Sequence, residues 1–311
     1  MGARGFFVEI RESFFFIACS GFSHSFRGMT KKVLPLAPLV AAFLFAAVFV
    51  MSFAVMARAA DRARVIDFLE VTGFDVALDS IALSAGSAPQ MLGLEAEDFG
   101  QQWTRISEEV FDRQKMRELA LDILERTLNE TALEHAQAFY DSDLGRRLVA
   151  AENAAHKVEE DEVKQEAGQR IISDLVKDGS DRVALLQRMN RAIDTADTAV
   201  KAVQQIQFRF IMAASAAGII DLQLDADGLR AWQEEQAAGL RMALNASAIA
   251  SSAYTYQGFS DDEVRSYVRA LETPLMQEVY ALLNAVQYEI TANRYEELAY
   301  RLRGLGDGED I

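Results

Sequence analysis

Cysteine is almost missing from this chain: Cys19 stands alone among 311 residues. An internal disulfide is therefore excluded, and so is a thiolate metal cluster. Beyond residue 60 there is no cysteine at all, hence no thiol nucleophile. Histidine is nearly as scarce, with only His135 and His156 in that region, too few for a histidine-rich zinc site. Proline is confined there to Pro89 and Pro274, and period-two runs of valine, isoleucine or threonine are lacking, so strands have little support. G-x-S-x-G, H-E-x-x-H, a phosphate-binding glycine loop and a dinucleotide fingerprint are all absent. Basic charge is also short. The 31 lysines and arginines face 47 acidic residues, a formal charge of −16. Setting aside the six basic and two acidic residues ahead of Asp61 takes it to −20. Such a body is repelled by nucleic acid and by anionic lipid headgroups. Neither a nucleic-acid partner nor a cofactor nor a metal is expected.

The N-terminus carries an export pattern. From Met29 the chain runs through Lys31 and Lys32 into an apolar stretch over 33–57, and closes on Ala57-Arg58-Ala59, the small-x-small pattern of a signal-peptidase site. Ala60 or Asp61 then opens the mature chain. The apolar run exceeds the ~7–15 residues usual in a cleaved signal and approaches the ~20 that span a bilayer, so an uncleaved inner-membrane anchor is the alternative. Flanking lysines hold that end in the cytoplasm and send the remainder outward. Residues 1–28 precede a complete signal and are expected to be a non-structural extension. Export to the periplasm is the expectation, with membrane contact only through 33–57 if the segment is not cut.

Apolar residues beyond residue 60 recur at helical spacing. Leu185, Met189, Ile193, Ala196, Val200 and Val203 step by three and four; so do Val163, Ala167, Ile171 and Leu175, and Val264, Tyr267, Val268, Leu271 and Leu275. Breakers fall at 85–90, 128–131, 141–143, 177–181, 224–228, 258–262 and 272–274. The run "FIMAASAAGII", 210–220, is apolar all round but too short to span a membrane, which points to a buried core helix. An all-α fold of about ten helices is predicted. The tail, 304–311, is expected to be disordered.

An internal repeat organises these helices. Residues 128–149 can be laid without gaps on 259–280 at an offset of 131. Leu133 then meets Val264, Ala136 meets Tyr267, Tyr140 meets Leu271, Ser142 meets Thr273 and Leu148 meets Val279. Upstream, Trp103 and Trp232 each follow an aspartate, Asp98 or Asp227, suited to cap the helix that carries the tryptophan. Two related multi-helix units, 61–178 and 179–303, are the simplest account.

The most site-like stretch is "AFYDSDLGRR", 138–147. Asp141 and Asp143 could serve as an acid–base or cation-binding pair. Alternatively Ser142 caps a helix whose first turn holds Asp143. The repeat favours the second reading: the later copy has Thr273 and Pro274 here, and proline suits a first helical position. Gly145 is then expected to permit close helix packing. "QLDADGLRAWQE", 223–234, resembles a degraded EF-hand loop, with Asp225, Asp227, Gly228 and Glu234 in place, but Gln223 at the first position weakens it. His156, at the end of an alanine-rich helix, is placed where the dipole favours a cation. His135 is expected on a helix face beside Phe139.

With these residues in hand, the stretch resembles the exported helical family known as domain of unknown function 2059. The family's motif runs aromatic-Tyr, Ser or Thr, Pro, one residue, Gly, basic. Phe139, Tyr140, Ser142, Gly145 and Arg146 match it, with Asp143 in place of proline. In the later copy Thr273 and Pro274 match, while Ala270, Leu271 and Met276 depart. The resemblance implies export and an all-helical fold, and no catalytic residues. A non-catalytic binding or scaffolding module for a protein, peptide or apolar ligand follows, in which Trp103, Phe139, Tyr140, Trp232 and Tyr267 serve as core or groove residues. The competing expectation is a metal-dependent or carboxylate-based hydrolase using Asp141, Asp143 and His135. Replacing the cap, Ser142→Ala, is predicted to cost about 0.5–2 kcal/mol in chemical denaturation. Unchanged unfolding together with altered ligand binding would show that Ser142 belongs to a site instead.

Overall fold

The computed structural model describes residues 61–94, 102–158, 160–193 and 196–306. The signal or anchor segment with Ala57, Ala59 and Ala60, and also Asp98, lie outside the described residues. What is described is all-α, as expected. The helices are α1 (Arg62–Thr72), α2 (Phe74–Ser80), α3 (Ala88–Met91), α4 (Gln102–Val110), α5 (Arg113–Thr127), α6 (Glu130–Tyr140), α7 (Asp143–His156), α8 (Asp161–Lys177), α9 (Arg182–Ile193), α10 (Ala196–Ala216), α11 (Ala226–Thr255), α12 (Asp261–Leu271) and α13 (Pro274–Gly306). A 3₁₀ helix over Ile81–Ser87 leads into α3, so the glycine- and proline-bearing 85–90 stretch coils tightly where a break was expected. Among the described residues no helix is long and apolar enough to cross a membrane.

Side-chain caps set several of the starts. Asn129 accepts from the N–H of Ala132 at 2.8 Å, and Asp112 from that of Lys115 at 2.9 Å. Ser260 and Glu263 form a reciprocal capping box at α12. At α7 the Ser142 hydroxyl accepts from the Gly145 N–H at 3.0 Å. For α11 the cap is Asp225, which accepts from the Gly228 N–H at 2.8 Å; Asp227, the expected cap, comes two residues too late and lies in the first turn of the helix. The same start consumes the EF-hand-like stretch, because Asp227, Gly228 and Glu234 are wound into α11 and cannot wrap a cation as a loop. Helix α10 stops at Ala216, with Gly218 at φ +74° just beyond. The "FIMAASAAGII" run is thus a helix end and a turn: Phe210, Ile211 and Ala214 are buried, while Ile219 and Ile220 lie outside the helix and are partly buried against the core.

Helix α13 is the central post. Its Met276, Val279, Leu283, Val286 and Ile290 step by three and four into the core, and Tyr295, wholly buried, donates to the Ser84 carbonyl at 2.7 Å. Arg209 on α10 bridges Glu289 at 2.9 Å and Glu296 at 2.5 Å on α13. One hydrophobic cluster runs from Val65 to Leu302. The segments 131 residues apart have matching bounds: α6 spans 130–140 and α12 261–271, while α7 begins at 143 and α13 at 274. Leu133 and Val264 are both fully buried, as are Leu148 and Val279 to within 1%.

Helix α8 departs from its pattern. Val163, one of the apolar residues at helical spacing, is 50% exposed, and the buried residues are Lys164 and Gly168. The reason is backbone proximity: a Cβ on Gly168 would lie 2.0 Å from the Ala250 carbonyl oxygen, so α8 meets α11 along its glycine rather than along its valine. Gly145 serves similarly at the α6–α7 joint, where a Cβ would meet the Phe139 carbonyl at 2.3 Å. Overpacking costs about 1–3 kcal/mol, and Gly168→Ala is expected to lose at least that much in urea denaturation. A stability within experimental error of wild type would mean α8 does not approach α11 this closely.

Candidate functional site

Between α1–α2, α7, α9, α11 and α13 lies a cavity of about 860 Å³ with mostly apolar walls. Its polar end is built on Glu152, in the alanine-rich middle of α7. Tyr256 donates to Glu152 Oε1 at 2.7 Å, and Tyr267 donates to the same oxygen at 3.0 Å. The Tyr267 hydroxyl meets that of Tyr280 at 2.8 Å and that of Tyr140 at 3.1 Å, and the latter two are 2.5 Å apart. With the Tyr267 proton committed to Glu152, Tyr280 and Tyr140 supply the remaining protons. A chain of hydroxyls from four different helix regions thus ends on one carboxyl group. Burial pushes the Glu152 carboxyl upward, opposed by the hydrogen bonds from Tyr256 and Tyr267. Burial also drives Tyr140, Tyr256 and Tyr267 well above the ordinary tyrosine value, and the Glu152 carboxylate adds to this. These phenols stay protonated and act as donors.

Among the amides that border the cavity, Asn153 and Asn190 hold unused polar atoms. Asn153 Oδ1 and Asn190 Nδ2 are buried with no hydrogen-bond partner among the described residues, and both side chains border the cavity. Gly73, at φ +72°, makes room for Asn153: a Cβ there would lie 2.5 Å from Asn153 Oδ1. Asn190 Oδ1 accepts from the Ser252 hydroxyl at 2.8 Å.

The residues singled out in sequence are divided by the fold. Tyr140 and Tyr267 come together in the hydroxyl chain, and Phe139 stacks on Tyr267 with ring centroids 5.7 Å apart. Trp103 and Trp232 are partly buried against the core. Asp141 and Asp143 sit at the exposed α6–α7 joint, where Arg146 reaches them at 3.7 and 3.1 Å. His135 points elsewhere: its Nε2 meets the Thr273 hydroxyl at 3.0 Å, and that hydroxyl donates to the Ala270 carbonyl at 2.8 Å. Thr273 therefore precedes Pro274 and α13 without spending its oxygen on the new helix. Among the described residues no group of three or more His, Cys, Asp or Glu side chains is placed to hold a metal ion.

Sequence reasoning missed Glu152, Asn153, Asn190, Tyr256 and Tyr280. One signal was present: all eight tyrosines fall between Tyr140 and Tyr300, none in the first 139 residues. His156, which also borders the cavity, corrects an expectation. It ends α7, where the dipole favours a cation, yet burial and the charge of Lys164 lower it to about 4. Desolvation outweighs the helix dipole here. Lys164 itself is buried and pairs with Asp161 at 2.6 Å.

The unfolded imidazole takes up its proton near 6.5 and the folded one only near 4, so unfolding binds a proton between those values. His156 therefore contributes stability above pH 6.5 that drains away as the pH falls towards 4. A proton NMR titration is expected to place its midpoint near 4; a midpoint near 6.5 would show an unburied ring.

No curated protein and no solved structure matches the chain. A family model does, over α5 to α8, a stretch that includes Tyr140, Glu152 and Asn153 but none of Tyr256, Tyr267 and Tyr280. Residues 114–174 match the family described as "Uncharacterized protein conserved in bacteria (DUF2059)", which is the family that the motif from Phe139 to Arg146 resembles.

Proposed function

We propose that this is a non-catalytic exported protein whose helical body binds a small, largely apolar ligand in the cavity between α7, α9, α11 and α13. The observation that carries the reading is the cavity itself: about 860 Å³, apolar for most of its wall, and bordered by the hydroxyl chain that ends on Glu152. A cavity of this volume falls within the roughly 300–1,000 Å³ that small-molecule sites occupy. The phenols of the polar end support binding rather than chemistry, since each hydroxyl is committed to a neighbour and held in its neutral form. Export rests on the lysine-flanked apolar segment and on Ala57, Ala59 and Ala60, and places the cavity in the periplasm or at the outer face of the inner membrane. The correspondence at offset 131 supports a duplicated helical unit, with the cavity bordered by both copies.

The competing hydrolase on Asp141, Asp143 and His135 makes a different demand, a metal or reactive pair at the α6–α7 joint. Native mass spectrometry of the full-length protein isolated from its own envelope is expected to show a small organic molecule, lost in Ala248→Trp, which fills the cavity wall. Stoichiometric metal that disappears on replacing Asp141 and Asp143 by alanine would overturn the binding reading.

A further inference from the structure

The cavity's polar end has an unbalanced chemistry. Glu152 offers Oε1 to two tyrosine donors, while Oε2 accepts from none of the described residues, although Glu152 borders the cavity. The next residue on α7 adds a second unused acceptor, Asn153 Oδ1, buried and unpartnered. No ion pair reaches Glu152 among the described residues. The candidate cations nearby do not fill the role. His156 is held neutral, and Arg191, which also borders the cavity, is exposed.

A buried carboxyl group with an open oxygen, beside an unpaired amide oxygen, is a receptor for N–H donors carrying positive charge. The surroundings agree with that sign. Rings of Tyr140, Tyr256, Tyr267 and Tyr280 border the same end, and aromatic faces attract ammonium groups. The chain's net charge of −16 raises the local concentration of cations over anions. A fatty carboxylate fails on each count, because it would bring a second negative charge against Glu152 and two more acceptors against Asn153. An alcohol satisfies one acceptor and leaves the charge unmatched.

We propose that the ligand is a primary or secondary amine with an apolar body, its ammonium group seated between Glu152 Oε2 and Asn153 Oδ1. The apolar portion lies along Leu244, Ala248 and Ile249 of α11 and Leu283 of α13, which border the same cavity. Asn190 Nδ2, a buried donor without a hydrogen-bond partner that borders the same cavity, would meet an acceptor oxygen on the same molecule, so an amino alcohol or an amide-bearing amine fits better than a bare alkylamine. Binding forms an ammonium–carboxylate pair, and where Glu152 carries its proton beforehand that proton leaves to solvent.

This inference rests on the cavity being a ligand site, and the test separates the two. Octylamine, 1-octanol, octanoate and trimethyloctylammonium are titrated calorimetrically into the full-length protein held in amphipol at neutral pH. Octylamine is expected to bind at least tenfold more tightly than each of the other three. The trimethylated probe has the charge without the N–H donors and measures their part directly in the wild-type protein. In Glu152→Gln the amine is expected to lose its tenfold advantage over octanol, and an advantage that survives the substitution sinks the amine assignment. Equal binding of amine and alcohol to wild type sinks the amine assignment and leaves the ligand site standing. Tighter binding of octanoate sinks it too, and failure of every probe to bind removes both readings.

Discussion

A carboxyl group placed inside a protein must be supplied with donors or given up, and the centre of this fold is organised around that demand. Glu152 sits on α7 among alanines that bring nothing to satisfy it. Its donors come from far along the chain, Tyr256 from the end of α11 and Tyr267 from α12, with Tyr280 of α13 and Tyr140 of α6 behind them. Each hydroxyl can reach the chain only if its helix lies at the right height and rotation. The polar cluster therefore fixes the register of five helices against one another, something an apolar core of interchangeable methyl groups specifies poorly. The desolvation that makes the carboxyl costly is the same property that makes the arrangement specific.

Close backbone approaches allow the geometry. Gly145 lets α7 turn over the end of α6 near Tyr140, and Gly168 lets α8 lie on α11 two residues before Ser252. Gly73 admits the amide of Asn153. Larger residues at these points would push apart the helices that carry the hydroxyl chain. What remains between the helices after these contacts is the cavity: α7, α9, α11 and α13 are held by their polar ends and their glycine crossings, and the space along α11 from Leu244 to Ser252 is left unfilled.

Much of the fold was legible because it rests on local chemistry. Ser142 and Pro274 mark helix starts through capping and the missing proline N–H, and those rules act within four residues. Periodicity gave the core face of α12, where Val264, Tyr267, Val268 and Leu271 are buried. It misled at α8, where Val163 lies in solvent and Lys164 lies inside, because a glycine crossing decides which face turns inward and hydrophobicity does not record it. Asp227 lost its expected capping role to Asp225 over a distance of two residues, a shift that sequence spacing alone does not resolve. His156 defeated a local rule for the opposite reason: the dipole argument was sound for an exposed helix end, and burial against Lys164 overrode it. Of the candidate site, Tyr140 and Tyr267 were visible and Glu152 was not. A lone glutamate in an alanine-rich helix carries no periodic or motif signal, and its partners lie 104 and 115 residues away.

The two segments at offset 131 bear on how such a site arises. Their helices begin and end in step, yet the tyrosines they contribute do not occupy equivalent positions. Tyr140 ends α6 where α12 has Leu271, and Tyr267 stands where α6 has Ala136. The hydroxyls nevertheless meet at 3.1 Å, one reaching in from a helix end and the other from a helix middle. At the following joint the difference is larger. Gly145 accepts a backbone contact that would expel a Cβ, while its counterpart Met276 is fully buried as an apolar plug. A symmetric pair would place two identical joints and either two tyrosines or none. Unequal substitution in helices of matching bounds brings Tyr140 and Tyr267 into one hydroxyl chain from different heights, which equivalent positions in the two segments would not do.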